Sequence, residues 1–396
     1  MFRVSLIVCA LISSSAMIAS AEDFSYSLFD GETLNGWTIE NDAKAEVTPE
    51  GTLKFLSGNG WLRTHHQFQD FRLQLEWRTL KPTKYDAGIF FRAANQGKPF
   101  PKPAYQVNLL EGQEGTLIGL KEGKCRGMAK PAGEWNAFDL TVRGDRASLM
   151  FNDQLAYDVK GVEVRSGFLG LQIEVPLGGQ FEFRDIRVTE YGCQSVFDGQ
   201  TLAGWEGAKA PAESCWSVDD NQIVCSGEKG GTWLRSKSEY GDFNFRFDYQ
   251  LQEGGNSGIY VRVPKDGLHH RENPSQPEAG FEVQVLEDSA AQYRKLKPYQ
   301  YSASVYDIEG ADPRVSKSPG EWNTLEINCH GQEVTTIHNG VVVVHINSNS
   351  NPLLGLRKVE GFLGLQNHSS VVKYRNLRVG PARKNLIPAD KQIERN

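Results

Sequence analysis

The stretch VFDGQTLAGW, residues 196–205, decides the fold because it repeats LFDGETLNGW, residues 28–37. Five further blocks recur in the same order in both halves, so the halves are diverged copies of one unit. The paired blocks are WLR at 61–63 and 233–235, AGIFFR at 87–92 and SGIYVR at 257–262, GEWN at 133–136 and 320–323, GFLGLQ at 167–172 and 361–366, and FRDIRV at 183–188 and YRNLRV at 374–379.

Between these blocks, apolar residues alternate with polar ones. FRLQLEWR at residues 71–78 and FNFRFDY at 243–249 are examples. A period of two is typical of strands with one buried face, and Asn339-Gly340 is a strong hairpin turn. No long window has helical periodicity. The pattern therefore predicts an all-β protein of two tandem sandwiches, residues 22–191 and 192–382, followed by a tail at 383–396.

The first 21 residues have the pattern of a secretory signal peptide. Arg3 precedes an apolar run at residues 4–18, which ends at the small-residue cleavage signal Ala19-Ser20-Ala21. This predicts export to the periplasm or the extracellular space. A lipid anchor on Cys9 is the alternative, less favoured because Val8 precedes it. No other stretch is apolar enough to span a bilayer, so we expect no membrane insertion.

Charge and cysteine content exclude several classes of protein. The net charge is −6 and the pI about 5.8, which disfavours a nucleic-acid partner. Five cysteines remain after the leader, so at least one has no partner within the chain, and their spacing does not fit a zinc site. The sequence identifies no protein partner.

The motifs of the second copy resemble the 3-keto-disaccharide hydrolase family. They include NSGIYVR at residues 256–262, FEVQVLED at 281–288 and GFLGLQNH at 361–368. The resemblance covers essentially the whole chain after the leader, once per copy. It implies two tandem concanavalin A-like jelly-roll β-sandwiches. It also implies a carbohydrate substrate, a glycoside whose glucose carries a ketone at C3.

The internal repeat indicates which copy carries the chemistry. Glu282, Asp288 and His368 of the second copy correspond to Gln106, Gly112 and Glu174 of the first, so the first copy lacks both matching carboxylates and the histidine. Because a proton-transfer site needs ionisable groups, we expect the second copy to carry the active site and the first to be non-catalytic.

Strand geometry predicts which side chains share a face. Glu282 and Gln284 have the same parity and point to one side about 7 Å apart, whereas Val283 and Val285 point to the opposite, buried side. Asp288 joins them only if the chain bends before it. An amide two residues after Glu282 argues against a standard retaining glucanase, which needs a second carboxylate. A solvated outer face with no site is the alternative.

The chemistry implied by the resemblance needs a base, an acid and an electrophile. A C3 ketone acidifies the C2 hydrogen, so a base can remove it and expel the C1 substituent, after which water adds. Glu282 or His368 is the candidate base, and Arg262 or a divalent metal ion held by Glu282, Asp288 and His368 is the candidate electrophile. The predicted catalytic residues are Glu282, His368 and Asp288, and the predicted substrate-binding residues are Asn256, Arg262, Gln284 and Tyr306.

Two other functions fit the same sequence. The first is a non-catalytic, lectin-like protein that binds carbohydrate with both copies. The second is a structural protein of the cell envelope, which needs no pocket. For single residues, a structural loop role for His368 and a buried ion pair for Arg262 also stay open.

Overall fold

The computed structural model describes residues 23–384, so the predicted signal peptide and most of the predicted tail lie outside the described residues. The strands of the first copy are β1 Phe24–Ser27, β2 Trp37–Asn41, β3 Lys44–Val47, β4 Leu53–Ser57, β5 Asn59–Phe68, β6 Phe71–Thr79, β7 Gly88–Ala93, β8 Tyr105–Asn108, β9 Leu117–Ile118, β10 Asn136–Arg143, β11 Arg146–Phe151, β12 Gln154–Lys160, β13 Gly167–Glu174 and β14 Phe181–Glu190. A short 3-10 helix, Val175–Leu177, precedes β14.

The strands of the second copy are β15 Gln194–Ser195, β16 Trp205–Gly207, β17 Trp216–Asp219, β18 Gln222–Cys225, β19 Leu234–Tyr240, β20 Phe243–Leu251, β21 Asn256–Val263, β22 Phe281–Leu286, β23 Trp322–His330, β24 Glu333–His338, β25 Val341–Asn347, β26 Gly361–Leu365 and β27 Val372–Gly380. Its 3-10 helices are Ala212–Ser214, Ala291–Tyr293, Pro298–Gln300 and Leu354–Leu356. None of the helices in residues 23–384 has the length and apolarity needed to cross a membrane.

Each copy is a sandwich of two antiparallel sheets. In the first copy the sheets run β12-β11-β10-β6-β14-β4-β3, with β1 beside β14, and β2-β5-β13-β7-β8-β9. In the second copy they run β17-β18-β27-β20-β23-β24-β25, with β15 beside β27, and β16-β19-β26-β21-β22. Equivalent strands take the same order in both copies: β5-β13-β7-β8 matches β19-β26-β21-β22. The predicted all-β fold of two tandem jelly-roll-like sandwiches is confirmed.

The inward faces of the two sheets pack into one apolar core per copy. Trp77, Phe138 and Phe151 meet in the first core, with Phe138 and Phe151 edge-to-face at 4.6 Å between ring centroids. Phe247 and Tyr374 occupy the second. The five cysteines among the described residues are buried free thiols.

A buried arginine at the same place in both copies stabilises each sandwich by hydrogen bonds to backbone carbonyls. Arg262, at the end of the SGIYVR block, has a positive φ of 53°, and the pairing of β21 with β26 shifts register there. This bulge turns the guanidinium into the protein, where it donates to the carbonyls of Gly241 and Gly331. Arg92 has a φ of 45° and donates to the carbonyls of Gln69 and Gly144. The bulge is therefore a structural device of the fold.

The two copies meet across a buried network of charges. Glu190, at the end of β14, accepts hydrogen bonds from Arg246 at 2.6 Å and from Arg378 at 2.7 Å. Burial would raise the pKa of this carboxyl, but Arg378, Arg246 and Arg383 outweigh burial and lower it to about 2. Arg383 also donates to the carbonyl of Gln67 at 2.6 Å. Although the sequence assigns Arg383 to the tail, it contacts both copies.

Removing the charge of Glu190 should destabilise the protein strongly. Glu190→Gln leaves buried arginines without their ionised partner, which typically costs roughly 3–5 kcal/mol in the free energy of unfolding. Urea denaturation followed by tryptophan fluorescence measures this. Asp158→Asn, which breaks an exposed pair with Arg146, is the matched control and should change little. Equal midpoints for both variants would show that the network does not hold the copies together.

Candidate active site

The outer face of β22 forms the floor of a cavity of about 390 Å³ in the second copy. Glu282 and Gln284 line this cavity, whereas Val283 and Val285 are fully buried in the core, as the strand parity predicts. A Cβ on Gly258, in neighbouring β21, would collide with Oε1 of Glu282. The glycine therefore gives the Glu282 side chain room to lie across the sheet.

Two irregular segments wall the cavity. Residues 303–306 run beside β22, where the Tyr306 amide donates to the Glu282 carbonyl at 2.8 Å. This pairing places Tyr306 and Asp307 on the cavity wall. The loop at residues 264–280 folds back over β21, with the Gly280 amide bonded to the Leu268 carbonyl, and places His269 and His270 opposite. Tyr260 stacks on His269 with ring centroids 4.7 Å apart.

Glu282 and His269 form the centre of the site. Nε2 of His269 lies 3.3 Å from Oε2 of Glu282, and the Glu282 side chain is only 5% exposed. The other ring nitrogen, Nδ1, lies 2.8 Å from the Gly267 carbonyl, which can only accept. Nδ1 therefore carries a hydrogen, and Nε2 of the neutral ring accepts one from the carboxyl group.

Burial decides where the proton of this pair resides. It raises the pKa of Glu282 to about 8, and it lowers the pKa of His269 to about 4. Among the residues that the structure describes, no arginine or lysine side chain bonds to the carboxyl group to oppose this effect. Near neutral pH the proton therefore stays on Glu282, and His269 stays uncharged. A carboxyl group with such a pKa is suited to proton transfer near neutral pH.

Gln366 connects the pair to the next strand. Its amide nitrogen donates to Oε1 of Glu282 and to the hydroxyl oxygen of Tyr260, both at 3.1 Å. Its amide oxygen is buried and has no hydrogen-bond partner within the described residues. Leaving this buried acceptor unpaired is costly, so a ligand hydroxyl that displaced its neighbours and bonded to it would gain a hydrogen bond.

The rim carries further polar groups. Nδ1 of His270 lies 2.7 Å from a carboxylate oxygen of Asp307. The Gln284 amide donates to the Asn256 side-chain oxygen at 2.9 Å. His368 is exposed at the edge of the same cavity. The structure thus brings together five of the side chains selected from the sequence, namely Asn256, Glu282, Gln284, Tyr306 and His368.

Two predicted site residues do not line the cavity. Arg262 is buried in its bulge and bonded to backbone carbonyls, so it does not face a ketone there. Asp288 lies past the end of β22, where its carboxylate accepts from the Ser302 amide at 2.9 Å and the Ser316 hydroxyl at 2.7 Å. Both assignments are corrected to structural roles. The proposed set of Glu282, Asp288 and His368 around a metal ion is not assembled, and residues 23–384 contain no group of three or more His, Cys, Asp or Glu side chains that could hold one.

The equivalent place in the first copy holds amides. Gln106 lies over Gly88 as Glu282 lies over Gly258, and its amide nitrogen donates to Gln172, the counterpart of Gln366. Gln172 donates in turn to Glu174. Burial and the nearby Glu174 raise the pKa of Asp86, the counterpart of Asn256, to about 6. An amide at position 106 cannot exchange a proton as a carboxyl group does.

Sequence reasoning did not select His269 and Gln366 as site residues. Gln366 repeats in the first copy as Gln172, so the comparison of the two copies did not distinguish it. The loop carrying His269 and His270 is longer in the second copy than its counterpart in the first, which was a usable signal. Loops often carry functional residues, so a loop that is longer in one copy only is a candidate for a function that only this copy has.

Comparison with known proteins places both copies in one family. The model of the 3-keto-alpha-glucoside-1,2-lyase-like domain matches residues 25–189 and again 192–380. A 3-keto-disaccharide hydrolase of Bacteroides thetaiotaomicron is 28% identical over 225 residues, covering 48% of this chain and 78% of that protein.

Solved structures give weaker matches. A putative glycosyl hydrolase from Parabacteroides distasonis is 24% identical with a TM-score of 0.39, and the match covers 48% of this chain and 98% of the hydrolase chain. A carbohydrate-binding module of Bacillus subtilis matches 38% of this chain and 94% of its own, with 17% identity and a TM-score of 0.32.

The raised pKa of Glu282 predicts a pH-dependent stability difference between the protein and its Glu282→Gln variant. In the unfolded chain this carboxyl ionises near pH 4.5, but in the folded chain it ionises near pH 8. As the pH rises from 4.5 to 8, the carboxyl group ionises in the unfolded chain but not in the folded one, so the free energy of unfolding of the wild type falls. The amide that Glu282→Gln introduces does not titrate, yet it can accept from Gln366 and donate to His269.

Between about pH 5 and pH 8, the free energy of unfolding of Glu282→Gln should therefore rise relative to that of the wild type by up to a few kcal/mol, since one pKa unit corresponds to about 1.4 kcal/mol. Urea denaturation across that range is the measurement. Glu278→Gln, at an exposed loop position, is the matched control. A stability difference that stays constant with pH would contradict a raised pKa at Glu282.

Proposed function

The chain belongs to the 3-keto-alpha-glucoside-1,2-lyase-like family, as its motifs indicate, and we propose that its second copy cleaves 3-keto-glycosides by proton transfer through Glu282. The observation that carries this proposal is a buried carboxyl group with a pKa of about 8 on the floor of a polar cavity. The named relative from Bacteroides thetaiotaomicron supports the substrate class. The leader at residues 1–21 supports export.

Glu282 acts as the base in the first step. Its ionised carboxylate takes the hydrogen from C2 of the sugar, which the C3 ketone has acidified. The electron pair of that C–H bond forms the C1–C2 double bond as the C1–O bond breaks. A carboxylate with a raised pKa is a stronger base than an exposed one, so burial of Glu282 favours this step.

The same group completes the proton balance. Glu282, now protonated, gives its proton to the oxygen leaving C1, and the carboxylate is regenerated. Water then adds across the double bond, with its hydroxyl on C1 and a hydrogen on C2. Gln366 donates to one carboxyl oxygen at 3.1 Å throughout these transfers, and Nε2 of His269, 3.3 Å from the other oxygen, accepts the hydrogen bond of the carboxyl group whenever Glu282 is protonated. The amides of Asn256 and Gln284 provide hydrogen-bond donors for the ketone and hydroxyl oxygens.

The first copy has no part in this chemistry in our proposal. Gln106 and Gln172 cannot carry the proton that Glu282 carries, and the loop equivalent to residues 264–280 contains no histidine. The second copy would then be the catalytic domain and the first an accessory domain fixed to it.

Replacing Glu282 should abolish most of the activity. Glu282→Gln keeps the hydrogen bonds to Gln366 and His269 but removes the base, so turnover of a 3-keto glucoside should fall roughly 100-fold or more. The wild-type rate should rise with pH and level off above about 8, because the ionised form is the active one. Gln106→Ala, at the same position in the first copy, is the matched control and should retain full activity. Equal loss from both variants, or a rate that falls between about pH 6 and 8, would refute the role of Glu282.

His368 and Glu282 should act on one substrate, because both line the same cavity. If they share a proton-transfer step, their losses will not add: His368→Ala should cost much less in the Glu282→Gln background than alone. A double-mutant cycle on a 3-keto glucoside, with folding checked by thermal melts, measures the coupling. Fully additive losses would separate the two residues.

A further inference from the structure

A second concave region lies between the two copies and shares no lining residue with the cavity around Glu282. It has a deep part of about 170 Å³ and an adjoining outer part of about 740 Å³. Tyr26, Ser27 and Asn376 line both parts, so the two parts adjoin each other, and we refer to them together as the cleft. Because residues of both copies line it, the cleft exists only in the assembled tandem.

The deep part contains a buried nitrogen that lacks a partner. His66 is 6% exposed and lines the deep part, and its Nδ1 lies 3.2 Å from the Glu326 carboxylate. Burial alone would raise the pKa of Glu326, but Arg246 and His66 hold it below the usual range, so the carboxylate is ionised and accepts the Nδ1 hydrogen. Nε2 is then an acceptor, and it has no hydrogen-bond partner within residues 23–384. A ligand hydroxyl would remove the cost of leaving it unpaired.

The charged side chains that line the cleft favour neutral over anionic occupants. The charged side chains lining its two parts, apart from His66, are four aspartates (Asp23, Asp30, Asp198 and Asp248) and one arginine (Arg375). Arg375 is already paired with Asp248 at 3.1 Å. Phosphates, sulfates and uronic acids would therefore be repelled, whereas neutral hydroxyl groups can donate to these carboxylates.

Apolar surface accompanies these acceptors. The half-buried rings of Phe24 and Phe197 line the outer part, and Phe68 lines the deep part. Many hydroxyl acceptors beside aromatic rings suit a molecule that has hydroxyl groups at its edge and C–H groups on its face. A neutral pyranose ring has both.

We propose that the cleft between the two copies is a second carbohydrate site, which binds the end of a neutral glycan. One pyranose unit enters the deep part and donates a hydroxyl to His66, and the next unit lies in the outer part beside Phe24 and Phe197. The site would hold unoxidised sugar and is separate from the cavity around Glu282. It gives the first copy a role in binding, although this copy lacks the carboxylates that correspond to Glu282 and Asp288.

The test is isothermal titration of the full chain with methyl α-glucopyranoside, trehalose and cellobiose, none of which carries a C3 ketone. Ser27 is an exposed residue that lines both parts of the cleft, so Ser27→Trp should fill it and weaken binding at least tenfold without changing turnover of a 3-keto glucoside. Ser217→Trp, on an exposed position of β17 that does not line the cleft, is the matched control and should bind normally. Glucuronic acid should bind at least tenfold more weakly than the neutral glucosides.

A second variant covers the case in which Ser27→Trp does not fold. His66→Phe keeps a ring and removes the acceptor, and Glu326 retains Arg246 and Asn244 as partners. It should also weaken binding. The proposal is overturned if none of the three sugars binds the wild type, if both cleft variants bind as well as the wild type, or if binding is lost only in Gln284→Ala, which would assign it to the cavity around Glu282.

Discussion

The ionised carboxylate of Glu190, buried among three arginines, is the interaction on which the arrangement of the two copies depends. Arg246 and Arg378 reach it from adjacent strands β20 and β27 of the second copy. These bonds join β14, the last strand of the first copy, to the sheet of the second copy that contains β20 and β27. The first copy thereby covers the outer face of that sheet. The remaining sheet of the second copy is left with an open face, and there the cavity around Glu282 lies.

The two copies differ in which strands this junction buries. In the first copy, β5 is buried along nearly its whole length, and His65 bonds Thr324 of the second copy at 2.9 Å. Its counterpart β19 is exposed over its last residues. The first copy has kept the fold and the bulge at Arg92, while Gln106 stands in place of the ionisable Glu282.

The repeat and the period of two predicted the fold and the direction of the side chains on β22, because both are properties of regular strands. Glu282 and Gln284 share a face for that reason. Arg262 was misassigned because its positive φ reverses the direction of its side chain. A bulge of this kind does not show in the alternation of polar and apolar residues. Asp288 was misassigned because the strand ends before it. His269 was missed because the path of the loop at residues 264–280 depends on packing against Tyr260, which spacing along the chain does not show.

Two buried carboxyl groups, Glu190 and Glu282, illustrate how the environment sets their roles. Burial raises the pKa of both, but three arginines reverse that effect at Glu190. Glu282 has the neutral Gln366 and His269 beside it, and the negative charge of Asp307 raises its pKa further. Glu282 stays protonatable because, within residues 23–384, no arginine or lysine side chain bonds to its carboxyl group. Arg262 lies two residues from Tyr260 on the strand paired with β22, yet the bulge directs its guanidinium to carbonyls of the frame. An arginine facing Glu282 would hold the carboxylate ionised at a low pKa and weaken it as a base. The bulge at Arg262 therefore both fastens the sandwich and leaves the cavity free of a fixed positive charge.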